Sequence, residues 1–303
     1  MRAQITVVVA LCAASAGLTA CQSTPRTANR SATPYRPVVV ASFNFTESEI
    51  LAELYAGALE RAGIPVRREL DLGARELVEP ALAQGHVDVV PEYLGTALRF
   101  IDPASPAQGA GTAAEHAALN GALRLWGAEA LTPSPAQDQN ALAMLASRAR
   151  ALHARTTSDL RQHRGLVLGG PPECPTREFC LLGFENVYGL RFGEFMPLAE
   201  QAQTKTALEQ GVIDVAVMFT TDPQFADPSI VVLRDDRHLQ PEENVVPVVS
   251  TRVLRDYGPR VAKVLNSVSA QLTSGALIFL NWRVDLDGRT VADEAAGWLA
   301  RHR

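Results

Sequence analysis

A weak internal repeat limits this chain's possible folds more than any other feature. Residues 81–89 (Ala-Leu-Ala-Gln-Gly-His-Val-Asp-Val) recur 126 positions later as residues 207–215 (Ala-Leu-Glu-Gln-Gly-Val-Ile-Asp-Val). In each copy the end of an apolar helical pattern runs through Gln-Gly into a strand pattern, so one helix–turn–strand unit occurs in each half. The same offset carries Tyr93 onto Phe219, and the apolar run at residues 39–42 onto residues 165–168. Two halves built on one unit read as two similar lobes, and 303 residues give each enough chain for a core.

The elements of the first half alternate. Residues 38–41 are a short apolar run that reads as a buried strand. Thr46-Glu47-Ser48-Glu49 offers a capping-box start for a helix carrying Ile50, Leu51, Leu54, Tyr55, Ala58, Leu59 and Ala62, stopped by Gly63 and Pro65. A second strand at residues 67–70, a helix at 76–84 and a third strand at 86–90 follow. Such alternation predicts the α/β class. Residues 131–135, Leu-Thr-Pro-Ser-Pro, read as an extended crossing between the halves. A second break at residues 240–244 precedes the apolar run 245–249. Two crossings give a first lobe of residues 38–134 with 245–303, and a second of residues 135–244. Ligands of α/β sheets sit at the carboxyl ends of strands, so Tyr93 and Phe219 are expected to face each other across an interlobe cleft.

The N-terminus sets the expected compartment. Arg2 precedes an apolar run from Ile5 that is shorter than the roughly 20 residues of a membrane span. Leu18-Thr19-Ala20-Cys21 resembles the lipobox of bacterial lipoproteins. That reading makes residues 1–20 a signal peptide and Cys21 a diacylglycerol-modified N-terminus, anchored stably by two acyl chains. Residues 21–37 are polar and punctuated by proline, as a flexible tether would be. In an exported chain, Cys174 and Cys180 are expected to form a disulfide that fixes Arg177 in the loop between them.

Chemistry is conspicuous by what is missing. A net charge of −5 gives nucleic acid no basic surface to meet. No nucleophile elbow, phosphate loop or dinucleotide fingerprint occurs, and the six histidines have no metal-ligand spacing, so neither an enzyme nor a cofactor is expected.

Phe43-Asn44-Phe45-Thr46-Glu47-Ser48, Pro91-Glu92-Tyr93-Leu94-Gly95-Thr96, Pro133-Ser134-Pro135 through Asn140, Phe219-Thr220-Thr221-Asp222 and Leu233-Arg234-Asp235-Asp236 run in that order. Over residues 38–300 they resemble the substrate-binding proteins of osmoprotectant ABC importers, which take glycine betaine, carnitine or choline. The resemblance implies a two-lobed periplasmic-binding-protein-like fold of type II, acting as an extracytoplasmic monomer that closes on a small zwitterion or quaternary amine. A membrane permease driven by an ATPase subunit would then receive the solute. In that family four tyrosines cage the quaternary nitrogen, while a lysine, an arginine and a threonine hold the carboxylate. By position, Tyr93 and Thr96 are retained, Arg177 matches the arginine, and Phe43 stands for the lysine. Asn140, Phe219 and Glu243 stand for the other three tyrosines, Asp138 sits beside the Asn140 position, and Asn44 is also expected among the ligand-binding residues. A half-aromatic cage with added carboxylates implies a small zwitterion with a cationic nitrogen, a quaternary amine first and an amino-acid-like or bulkier betaine second. A lipid-anchored receptor that signals without transport is the other reading.

Overall fold

The computed structural model describes residues 35–199 and 201–302. The signal peptide expected at residues 1–20, Cys21 and most of the tether therefore lie outside the described residues. The chain begins with β1 (Val38–Ala41), α1 (Thr46–Arg61), β2 (Val66–Glu69), α2 (Arg75–Ala83), β3 (Val89–Tyr93), α3 (Leu94–Ile101), α4 (Thr112–Leu123) and β4 (Ala128–Ala130). After a first crossing come β5 (Asn140–Leu145), α5 (Ala146–Leu152), β6 (Val167–Gly170), α6 (Leu181–Tyr188), β7 (Glu194–Pro197), α7 (Gln201–Glu209), β8 (Val215–Phe219) and β9 (Ile230–Leu233). The chain then returns through β10 (Val245–Ser250), α8 (Thr251–Tyr257), α9 (Pro259–Ser269), α10 (Ser274–Asp285) and α11 (Val291–Arg301).

Two sheets result, ordered β2-β1-β3-β10-β4 and β7-β6-β8-β5-β9. Each has three parallel strands, then two joined antiparallel. The fold is two-lobed, and each crossing delivers the antiparallel strand next to the parallel set: β5 to the second sheet, β10 to the first. The crossings also pair with each other. Gln137 bridges Asn244, Asp138 N–H donates to the Glu243 carbonyl at 3.1 Å, and Val245 N–H donates to that of Ala136 at 3.1 Å. The connection between the lobes is thus a two-stranded hinge.

The repeat has a physical cause in each lobe. Gly85 and Gly211 end α2 and α7 at φ of 72° and 69°, a left-handed geometry that favours glycine. His86 N–H donates back to Ala81 at 2.8 Å, and Val212 N–H to Ala207 at 2.9 Å. The repeat aspartates then clamp the entry of the neighbouring parallel strand. Asp88 Oδ2 accepts from Val39 N–H at 3.0 Å, and Asp214 Oδ2 from Val167 N–H at 3.0 Å. Their own N–H groups donate to the Val39 and Val167 carbonyls at 2.8 and 2.9 Å.

This clamp corrects two expectations. Val167, not Gly165, is the counterpart of Val39, so the strand expected at residues 165–168 begins two residues later. The strand expected at residues 86–90 starts only at Val89, because residues 85–88 serve the helix stop and the clamp. The capping box is also replaced. Phe45 is the N-cap of α1 and makes no side-chain cap. Ser48 Oγ instead accepts from Phe43 N–H at 2.9 Å, and Glu47 turns to Tyr93 and Asn281.

The first lobe packs α1, α9, α10 and α11 on its Val-rich sheet in one continuous core. The second sheet is covered on both faces. Leu142, Met144, Val215 and Val217 point to one side, and Ala143, Ala216 and Met218 to the other, the two-residue alternation of a strand.

Candidate functional site

β3 and β8 end at Tyr93 and Phe219, and their carboxyl ends meet at a cavity of about 570 Å³ between the lobes, a size usual for small-molecule sites. Asn44, Tyr93, Thr96, Asp138, Asn140, Arg177, Phe219 and Glu243 line it. Of the ligand-binding residues read from the sequence, Phe43 alone stays outside. It is 2% exposed, stacks on Phe45 with ring centroids 6.0 Å apart, and carries the Arg75 guanidinium 5.0 Å above its ring.

Phe45 is the wall residue that sequence reasoning missed. Its ring stacks on Phe219 of the other lobe at 5.9 Å and lies 6.1 Å from Tyr93. Phe45 follows Asn44 at the mouth of β1 and takes the N-cap position, whose backbone is extended (φ −148°, ψ 152°), and its side chain lines the cavity. Phe179 adds another ring, its carbonyl accepting from Asn140 Nδ2 at 3.0 Å and Gln240 Nε2 at 3.1 Å.

Tyr93 is fixed from behind. Its hydroxyl donates to Glu47 Oε1 at 2.8 Å. Asn281 Nδ2 of α10 donates both to Glu47 Oε2 at 2.7 Å and to the Thr221 carbonyl of the second lobe at 3.2 Å. Burial raises the Glu47 carboxyl, and burial followed by the nearby Glu47 raises the Tyr93 hydroxyl well above its usual range.

Asp138 and Glu243 do not point to solvent at the hinge. They are 7% and 3% exposed and line the cavity. Asp138 Oδ1 accepts from Thr221 N–H at 3.0 Å and the Thr220 hydroxyl at 3.3 Å. Glu243 accepts from Thr96 N–H at 3.2 Å and from the Thr96 hydroxyl. Leu94 and Gly95 N–H groups donate to the carbonyls of Asn244 and Glu242 at 3.1 and 2.9 Å. The second crossing thereby satisfies the first turn of α3, Glu243 supplying the third acceptor. Only glycine fits at residue 95, since a Cβ there would stand 2.5 Å from Pro241. Burial pushes the Glu243 carboxyl up to about 8 against the Thr96 hydrogen bonds. Burial, then Glu47, raises Asp138 well above the carboxylate range.

The cavity's arginines are already engaged. Arg75 Nε and Nη2 grip Glu92 at 2.8 Å each. Arg177 Nη2 meets Glu76 at 3.0 Å and its Nη1 meets Glu173 at 3.3 Å. Arg99 Nη1 meets Glu178 at 3.1 Å and lies 5.6 Å over the Phe179 ring. Glu76 and Arg99 belong to the first lobe, Arg177 and Glu178 to the second, so two ion pairs join the lobes at the cavity mouth. Cys174 and Cys180 are bonded and close the turn holding Arg177, whose N–H donates to the Cys174 carbonyl at 3.2 Å. The resemblance gives Arg177 to a ligand carboxylate; the structure places its guanidinium on Glu76. Among the described residues no three or more His, Cys, Asp or Glu are grouped to hold a metal, and no helix is long and apolar enough to cross a membrane.

Comparison with known proteins places this geometry. The glycine betaine-binding protein YehZ of Escherichia coli is 28% identical over 279 residues, covering 87% of this chain and 90% of that protein. The solved structure of apo YehZ from Escherichia coli superposes with a TM-score of 0.63 at 27% identity, covering 88% of this chain and 99% of the other. A Helicobacter pylori ergothioneine transport permease/ergothioneine binding protein, EgtU, is 25% identical over 276 residues, 90% of this chain but 49% of that longer protein. The family model for the substrate binding domain of ABC-type glycine betaine transport systems matches residues 36–301. With two lobes hinged over an aromatic cavity, the chain belongs to that family, the solute-binding components of ABC importers, which are not enzymes.

Proposed function

We propose that this protein captures a small solute with a cationic nitrogen, of the betaine and choline class, in the cleft between residues 38–134 with 245–303 and residues 135–244. The supporting observation is the wall itself. The rings of Phe45, Tyr93 and Phe219 stand together with Asp138 and Glu243, neither of which enters an ion pair among the described residues. Ring faces attract a weakly hydrated cation by on the order of 2 kcal/mol when desolvated, and the carboxyls add direct charge. Closure at the hinge buries the solute, and the closed form hands it to a membrane permease coupled to an ATPase. The chain acts as a monomer held to the outer face of the membrane by lipid on Cys21, with residues 22–37 as its tether.

Thermal unfolding with choline and with glycine betaine tests the binding reading. A ligand at 100 times its Kd stabilises by about 2.7 kcal/mol, so at least one should raise the Tm clearly, and Phe219→Ala, binding on the order of tenfold more weakly, should lose about half of that rise or more. No shift with either compound contradicts the reading. For the anchor, wild-type protein should sediment with membranes and Cys21→Ser should not; soluble wild type with a free thiol at residue 21 contradicts it.

A further inference from the structure

The three positions that resemblance assigns to a ligand carboxylate offer it nothing here. Phe43 carries no charge and lies beneath the wall. Arg177 is held by Glu76 and Glu173, and the Thr96 hydroxyl donates to Glu243. The remaining cations on the cavity, Arg75 and Arg99, are committed to Glu92 and Glu178. The acidic side is in excess. Asp138 and Glu243 line the cavity, Glu47 stands behind Tyr93, and Glu79 lies fully buried behind the Arg75–Glu92 pair. Among the described residues only one buried arginine, Arg75, serves these groups, and its two-pronged grip is on Glu92.

From this balance we propose that the cleft selects an organic cation without a carboxylate, and that the Asp138–Glu243 pair gives up a proton to solvent as the cation enters. The proposal rests on the reading of the cleft as a cationic-nitrogen site. Buried carboxyls that lack a cation are most stable protonated. An entering ammonium replaces that proton as the counter-charge, so the site stays near neutral. A zwitterion would bring its own carboxylate to a wall with no free donor cation and several acids, a repulsion that disfavours it.

Every group that faces the pair bears on its proton. Glu47 of α1, Tyr93 of β3 and the Thr220–Thr221 turn face Asp138. Arg75 of α2, Glu92 of β3 and Thr96 of α3 face Glu243. At the mouth Arg99 meets Glu178 while Arg177 meets both Glu76 and Glu173, so three carboxylates face two arginines and the mouth adds one to the acidic excess. Burial raises both members of the pair, Glu243 to about 8.

Calorimetry on the wild-type mature protein tests this with pairs that differ in a carboxylate: choline against glycine betaine, agmatine against arginine, putrescine against ornithine. In each pair that binds, the carboxylate-free member should be at least tenfold tighter. Titrations in buffers of different ionisation enthalpy near pH 6.5 should show proton release of about one per ligand. Affinity should climb by up to about tenfold per pH unit and level off above pH 8. Asp138→Asn should lower proton release and weaken choline by tenfold or more, and should weaken glycine betaine less, since the lost attraction for its nitrogen is offset by relief of repulsion on its carboxylate. Tighter binding of glycine betaine, arginine, ornithine or ergothioneine than of every carboxylate-free probe overturns the selectivity. Binding of a cation with no proton release and no pH dependence overturns the exchange. If no probe binds at all, the proposed function falls first and this inference with it.

Discussion

Replacing Glu243 by Gln should make the ligand-free protein more stable in alkali while leaving it unchanged in acid. Folding moves this carboxyl from 4.5 to about 8, chiefly through burial. A raised carboxyl contributes stability that is fully present below the unfolded value and is lost as pH rises through the folded one. The loss therefore runs from about pH 4.5 to beyond pH 8. At about 1.4 kcal/mol per pH unit the full movement amounts to roughly 5 kcal/mol. Relaxation of the cleft and entry of water reduce the observable effect to on the order of 2–4 kcal/mol. Gln keeps an oxygen for the Thr96 N–H and never ionises. With Tm moving about 2–4 °C per kcal/mol in a chain this large, Glu243→Gln should melt on the order of 10 °C above wild type at pH 9. The two should coincide near pH 4. Thermal unfolding from pH 4 to 9.5 measures both profiles. Parallel curves, or a variant less stable at pH 9, would refute a buried and uncompensated Glu243.

Other outcomes follow from neighbouring contacts. Gly95→Ala should cost about 1–3 kcal/mol by overpacking, because its Cβ would press on Pro241; thermal unfolding reads the cost, and ligand affinity should fall as Glu243 is displaced. Cys174→Ser with Cys180→Ser should cost about 2 kcal/mol for so short a loop, and reduction of wild type should raise its intact mass by two hydrogens. Arg99→Ala removes a pair in which Glu178 is 54% exposed, so stability should change by less than about 1 kcal/mol; stopped-flow ligand release should quicken, since a tie between the lobes is gone.

The repeat was legible because local chemistry recurs with it. Gly85 and Gly211 end a helix at positive φ, and Asp88 and Asp214 clamp a strand entry. Such bonds are written within a few residues, so a pattern finds them. The two-residue slip between Val39 and Val167 was hidden because the intervening segments differ in length and leave no mark on the motif. Glu47 shows the opposite failure. Its place after Thr46 fits a capping box, but the long-range partners Tyr93 and Asn281 take the side chain. At the site, the repeat pointed to Tyr93 and Phe219 and the family resemblance to Asp138 and Glu243, and all four line the cavity. Position could not reveal that Arg177 and Thr96 are engaged, because Glu76 and Glu243 lie 101 and 147 residues away in sequence. Phe45 escaped because an aromatic N-cap carries no capping chemistry to flag it.

The central claim is that the rings and acids between the lobes hold a cationic nitrogen. Equilibrium titration of choline into wild type, Phe45→Ala and Phe219→Ala tests it most directly. Saturable one-site binding by wild type is predicted, with each ring removal weakening it by on the order of tenfold or more, the scale of about 2 kcal/mol for a desolvated cation on an aromatic face. Equal affinity in all three proteins, or no saturable binding by wild type, would contradict the account.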